Sequence, residues 1–163
     1  MRPVISFSKR RFDLFMYSGN ILERVERHGR NGKLPLPKLA QNLGAGIDWA
    51  GNSGKLIANL LFKKETFGEA YTISSAQNLT WGEVADIYRD VFGIDVEWVD
   101  EEDFIRAYPA VAGDYQWAYK YDRKFDRSID NTKVLRATGL TSADFTSIKE
   151  GLRIERALLE AEQ

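Results

Sequence analysis

The stretch LTWGEVADIYRDVFG, residues 79–93, constrains the fold of this chain more than any other. Thr80 stands three residues before Glu83. At that spacing a threonine hydroxyl caps a helix amide while the glutamate carboxylate reaches back to the amide of the cap. Leu79 before the cap and Val84 within the first turns match a hydrophobic staple. Val84, Ile87, Tyr88 and Val91 recur at helical spacing, and Gly93 supplies the left-handed stop. A helix specified this fully must bury its apolar stripe. Its neighbours are strand candidates: Ala70 to Ile73 upstream, and the alternating IDVEWV downstream.

The remaining segments read less sharply. Pro3 to Phe7 is a short, apolar, β-leaning run. Phe15, Leu22 and Val25 recur at helical spacing between charges, which predicts a helix over residues 12–28, ended by Gly29, Asn31 and Gly32. LPLP, residues 34–37, is too rich in proline for a central strand and suits an edge or an extended linker. AQNLGAGIDWAGNSG, residues 40–54, is glycine-dense and polar and reads as loop. A second helix is predicted over 53–63, with Leu56, Ile57, Leu60 and Leu61 on one side. Asp100 is placed to cap a short helix that ends before Pro109. Residues 110–129 are aromatic and charged without a clean period. Asp130 is placed to cap a helix through Arg136, closed by Gly139, and a last helix is predicted from Thr146 to Ala161. The fold class is α/β: one small mixed domain over residues 1–163, with short strands between helices.

With 163 residues, 44% apolar and 29% charged, the chain is long enough for one domain with a modest core. A formal net charge of −1 argues against a dedicated nucleic-acid binder. The absence of cysteine removes disulfide and thiolate chemistry. No apolar run approaches the roughly 20 residues that span a bilayer, and the N-terminus lacks a signal-peptide layout. The expectation is a soluble, cytoplasmic chain with neither membrane nor nucleic acid as partner.

Motif by motif, little chemistry is written out. His28, the only histidine, reads as a surface group near a helix end, and one histidine without cysteine makes a zinc site implausible. GNSG at Gly51 to Gly54 is one residue short of a nucleophile elbow. GNSGK fails as a phosphate loop at both ends, because Trp49 stands five residues before Gly54 and Leu56 follows Lys55. Gly44 and Gly46 are followed by Trp49, so no dinucleotide fingerprint is present. Asp100, Glu101, Glu102 and Asp103 lack calcium-loop spacing and suit a first helical turn. Lys9, Arg10 and Arg11, partly offset by Asp13, read as a solvated helix start. Lys120, Arg123, Lys124 and Arg127 alternate with Tyr119, Tyr121 and Phe125. Cations beside rings suit an anionic or planar ligand, and they also suit a plain surface with snorkelling side chains.

Taken in order, several stretches resemble one family. GEAYTISSAQNLTWGEVADIYRDVFG is similar to the pattern G-x-x-Y-x-I-(S/G)…L-T-x-x-E-(L/V) of the extended short-chain dehydrogenase/reductases, the NAD-dependent epimerase/dehydratase proteins. In SIDNTKVLRATGLTSADFTSIKEGL, Asp130 and Lys133 fall on that family's D-x-x-K, Gly139 on its L-G, and Glu150, Gly151 and Leu152 on its closing E-G-L. MRPVISFS sits where the family reads L-R-P-x-x-x-(Y/F)-G, and RNGKLPLP where it reads G-(K/R)-x-(I/L)-x-L-P. The similarity spans nearly the whole chain.

The resemblance implies the C-terminal, substrate-binding part of such an enzyme, with residues 1–8 as the last part of a Rossmann domain otherwise absent. The glycine-rich cofactor loop and the Tyr-x-x-x-Lys catalytic pair would lie in that domain; no tyrosine here has a lysine four residues on. Implied partners are a small-molecule substrate and the Rossmann domain of the same polypeptide. NAD or NADP is implied for the full-length enzyme, with no catalytic residue and no metal in this chain. Implied substrate-binding groups are Ser6, Ser8, Lys120, Arg123 and Arg127. The chain departs from nucleotide-sugar epimerases in two places. Gly44, Ala45 and Gly46 stand where they carry a diphosphate-gripping arginine, and Lys120 stands near the place of a second. A lysine holds charge without a two-pronged grip, which points to a smaller acid, alcohol or carbonyl compound. Two alternatives stay open: a stand-alone, non-catalytic ligand-binding or regulatory module derived from that family, whose strand edge is covered by homodimerisation, and an unrelated α/β enzyme working with carboxylates and Arg127.

Overall fold

In chain order, residues 1–29 and 31–162, described by a computed structural model, form β1 (Arg2–Pro3), β2 (Ile5–Phe7), β3 (Phe12–Leu14), β4 (Tyr17–Gly19), α1 (Ile21–His28), β5 (Lys33–Pro37), β6 (Ile47–Trp49), α2 (Ala50–Leu60), β7 (Thr72–Ile73), α3 (Trp81–Phe92), β8 (Asp95–Val99), α4 (Glu101–Ala107), α5 (Gln116–Ala118), α6 (Thr132–Thr138) and α7 (Ile148–Glu160). The architecture is mixed α/β. Among the described residues the strands pair only two by two: β1 with β7, β2 with β6 and β5 with β8 in parallel, and β3 with β4 antiparallel. None of the described helices is long and apolar enough to cross a membrane.

The chain gathers into two compact units, each built from non-contiguous segments. The first comprises Met1–Lys9, Gly46–Asn78 and the chain from Ser128 onward; the second comprises Arg10–Ala45 and Leu79–Arg127. A reading along the chain meets these segments one at a time and has no local sign that Ser6 and Ser53 belong together.

In the first unit, Leu56 and Leu60 of α2 pack with Tyr71, with Ile73 of β7 and with Val134 of α6, and Ile57, Leu135 and Phe145 close the cluster. Asp48 on β6 anchors the loop after β7. Its Oδ1 accepts from the Trp49 amide at 2.8 Å, Asn52 Nδ2 at 2.9 Å and Ser75 Oγ at 2.9 Å, and its Oδ2 accepts from the Ser75 amide at 2.6 Å. In the second unit, Phe15 meets Trp81 edge-on at 5.5 Å and Tyr17 stacks on Tyr108 at 4.9 Å, while Leu34 and Leu36 of β5 are fully buried.

Helix α3 forms as its sequence predicts. Thr80 Oγ1 accepts from the Glu83 amide, the Glu83 carboxylate accepts from the Thr80 amide, and Gly93 takes φ +71°. IDVEWV supplies β8. LPLP lies in β5, and its prolines are tolerated because β8 is its one partner among the described residues. Residues 12–28, predicted as one helix, instead form the β3–β4 hairpin followed by α1. Phe12, Asp13, Leu14, Phe15, Met16 and Tyr17 are buried in succession, which no single helix face permits, and Phe15 turns the chain at φ +57°. Leu22, expected inside, is 46% exposed. Residues 40–54, predicted as loop, contain β6 and the first turns of α2. That helix has no side-chain cap, and Gly51 is accommodated because the Trp49 ring fills the space where a Cβ would stand. Asn131 rather than Asp130 occupies the cap position of α6, and α7 begins at Ile148 behind Ser147.

Candidate functional site

The β3–β4 hairpin brings charge into the interior of the second unit. Along a strand, residues two apart share a face, so Arg11 and Asp13 point the same way while Phe12 and Leu14 take the other side. The antiparallel register sets Ser18 directly opposite Asp13. Arg11 grips the Asp13 carboxylate two-pronged, Nε to Oδ2 at 2.8 Å and Nη2 to Oδ1 at 3.1 Å. The Tyr88 hydroxyl donates to the Asp13 carbonyl at 2.9 Å, tying α3 to this strand. The turn at Phe15 presents its carbonyl to Arg123, whose Nε donates to it at 3.0 Å.

These groups border a cavity of about 180 Å³ whose polar lining is Arg11, Asp13, Ser18, Tyr115 and Arg123, with Met16 and Ala118 as its apolar wall. Asp13 is 0% exposed. Burial pushes its carboxyl above the usual range, and the hydrogen bond and charge of Arg11, with the charge of Arg123, offset part of that rise. Burial lowers Arg123 in turn, Asp13 raises it and Arg11 lowers it. A buried carboxyl gripped by one guanidinium and within the field of a second, at the wall of a cavity, is an arrangement common at functional sites.

The residues expected to bind substrate fall in different places. Arg123 lines the cavity, with Nη1 donating to Asp122. Arg127 is ion-paired to the same Asp122 carboxylate, and its backbone amide donates to Gly44 at 3.2 Å. Lys120 is exposed on the single π-helical turn Tyr119–Arg123. Ser6 and Ser8 belong to the first unit. Ser6 Oγ donates to the Val4 carbonyl at 3.2 Å and lies 3.3 Å from Ser53 Oγ, and Ser8 is half-buried. Arg11, Asp13, Ser18 and Tyr115 were not among the expected site residues. The signal for Arg11 and Asp13 was the R-x-D spacing, which joins the two only if the segment is a strand.

A second cavity, of about 300 Å³, lies in the first unit beside Ser75, Gln77, Ser142 and Ser147, with Ala76 and Phe145. Its lining carries no ionisable side chain. Two of its polar side chains are already engaged, since Gln77 Nε2 donates to Ser75 Oγ and the Thr146 carbonyl, and Gln77 Oε1 accepts from the Ile148 amide. Among the described residues no three histidine or carboxylate side chains gather to hold a metal ion. The glycines do not form a phosphate cradle either. A Cβ on Gly44 would meet the Asp126 carboxylate at 2.5 Å, so its amide faces protein, and Gly51 and Gly54 lie inside α2. No family model, no curated protein and no solved structure matches this chain.

Proposed function

We propose that this chain is the substrate-binding part of an NAD(P)-dependent epimerase, dehydratase or reductase of the extended short-chain dehydrogenase/reductase type, with the cofactor loop and the Tyr-Lys pair elsewhere in the same polypeptide. One observation carries the reading. In the first unit β1 pairs with β7 and β2 with β6, all in parallel, and each strand has a single partner among the described residues. Parallel strands occur almost only in larger sheets covered on both faces. An isolated parallel pair leaves an open edge that another strand would complete. Two of the stretches that carry the resemblance reach these strands: Arg2 and Pro3 on β1, and Ile73 of the Tyr-x-Ile pattern on β7.

In this reading the nicotinamide, held by the other domain, supplies the hydride chemistry. The chain described here binds and orients. Arg11 and Arg123 hold the negative end of a small substrate, Ser18 and Tyr115 offer hydroxyls to its oxygens, and Met16 and Ala118 exclude water from its carbon skeleton. One observation favours a second reading, a stand-alone binding module: every residue of the cavity belongs to the second unit, so the site needs no cofactor domain to be complete.

The DNA immediately upstream of the Met1 codon in the source genome tests the choice. An in-frame continuation encoding a glycine-rich loop and a Tyr-x-x-x-Lys is expected. A stop codon directly upstream overturns the enzyme reading and leaves the binding module.

A further inference from the structure

Arg11 uses only one edge of its guanidinium. Nε and Nη2 hold Asp13, and the side chain is nonetheless 57% exposed. A guanidinium is a planar fork with donors along more than one edge. Among the described residues no other acceptor engages Arg11, so a second edge is open to a ligand. Arg123 spends Nε on the Phe15 carbonyl and Nη1 on Asp122, and its Nη2 has no acceptor among the described residues. Asp13 is the lock that fixes the plane of Arg11 before anything binds, which removes an ordering cost from ligand binding.

Charge and size narrow the ligand. Three guanidiniums, Arg11, Arg123 and Arg127, against the two carboxylates they pair with, Asp13 and Asp122, leave one net positive charge at and beside the cavity. A monocarboxylate brings the site to neutrality, whereas a phosphate dianion would leave surplus negative charge beside the buried Asp13. The volume of about 180 Å³ falls below the roughly 300–1,000 Å³ of common ligand pockets. Ser18 and Tyr115 add hydroxyls to the lining, and Met16 and Ala118 add a short apolar wall. The geometry points to a site for a short-chain monocarboxylate that carries a hydroxyl or carbonyl group. Its carboxylate is gripped by the open edge of Arg11 and by Arg123, and its second oxygen is met by Ser18 or Tyr115. The inference rests on the proposed function only for the chemistry that follows binding; the binding itself belongs to this chain.

The test is a titration of the 163-residue chain with lactate, pyruvate, lactamide and inorganic phosphate, followed by calorimetry and by backbone amide shifts. Lactate or pyruvate is expected to saturate one site and to move the amides of Ser18, Tyr115 and Arg123. Lactamide, lacking the charge, is expected to bind at least about tenfold more weakly, because a charge-assisted two-pronged contact is lost. Arg11→Lys keeps a cation beside Asp13, so the hairpin retains its counter-charge while the fork is lost. This variant is expected to weaken lactate binding by about tenfold. Tyr115→Phe, at a more exposed position, gives a second reading of the same cavity. Equal binding of lactamide and lactate, tighter binding of phosphate, amide shifts confined to other surfaces, or an Arg11→Lys variant that binds as the parent does would each overturn the assignment. Failure here leaves the upstream-DNA test untouched, and a stop codon upstream leaves this site intact.

Discussion

Replacing Asp48 with asparagine isolates what one buried carboxylate does for the first unit. Four donors converge on Asp48: the Trp49 amide, Asn52 Nδ2 and Ser75 Oγ on Oδ1, and the Ser75 amide on Oδ2. Asparagine keeps the shape but supplies one acceptor oxygen and one NH2. If the oxygen stays with the three donors, the NH2 faces the Ser75 N–H that now lies 2.6 Å from Oδ2. Two buried donors then lack an acceptor, at about 1–2 kcal/mol each, and the three remaining bonds lose their charge assistance. Relief of the carboxylate's desolvation works the other way and is taken to offset the weakening of those three bonds. The expected destabilisation of Asp48→Asn is therefore about 2–4 kcal/mol. In a chain of this size that lowers the melting temperature by about 6–12 °C. Thermal and urea unfolding followed by circular dichroism measure it, with Ser75→Ala as a companion expected to cost about 1 kcal/mol. An Asp48→Asn variant within about 0.5 kcal/mol of the parent, or more stable than it, would refute the reasoning, since surface-like changes have that size.

The other predictions concern helix ends and pH. Thr80→Ala removes the hydroxyl side of the capping box on α3, leaving the backbone amide bonded to Glu83, and is expected to cost about 1 kcal/mol in urea unfolding; an unchanged midpoint would contradict it. Glu83 is held below the usual carboxylate range first by its hydrogen bond from the Thr80 backbone. Its contribution is thus present above the unfolded pKa and is lost as pH falls through the folded one, so Glu83→Gln should flatten the acid limb of the stability profile. His28 packs on the Tyr17 and Tyr108 rings at 5.7 and 4.6 Å, and burial, then Arg24 and Arg27, lower it from the ordinary 6.5 against a hydrogen bond to the Ala107 carbonyl. A depressed histidine contributes stability that is whole above pH 6.5 and fades as pH drops through the folded value. His28→Phe should remove that slope between pH 7 and 5, and an identical slope in parent and variant would rule the assignment out.

Local devices were legible because each acts within a few residues. The capping box, the left-handed Gly93 and the alternation of β8 all needed only their own neighbours. The β3–β4 hairpin was not legible, because a run such as FDLFMY takes its identity from what surrounds it, and continuous burial suits a strand inside a unit as well as a helix inside a core. That one misreading hid most of the candidate site. On a helix, Arg11 and Asp13 would point to nearly opposite sides, and Arg11 then reads as one more solvated cation beside Lys9 and Arg10. On a strand the same two residues grip each other. Arg123 could be singled out by its charge among aromatic neighbours, but its partner, the Phe15 carbonyl, is a backbone group 108 positions away in sequence. Tyr115 and Ser18 carry no signal of their own.

The interleaving of the two units has a consequence for how such a chain can change. The backbone crosses from one unit to the other between residues 9 and 10, 45 and 46, 78 and 79, and 127 and 128. Arg11, Asp13 and Ser18 travel with the first inserted segment, and Tyr115 and Arg123 with the second. A single genetic crossover between two relatives, placed anywhere between the two segments, would join one parent's carboxylate lock to the other parent's second arginine. Ligand preference could then be inherited whole only through a double exchange, or reshaped by point substitutions on both segments in step.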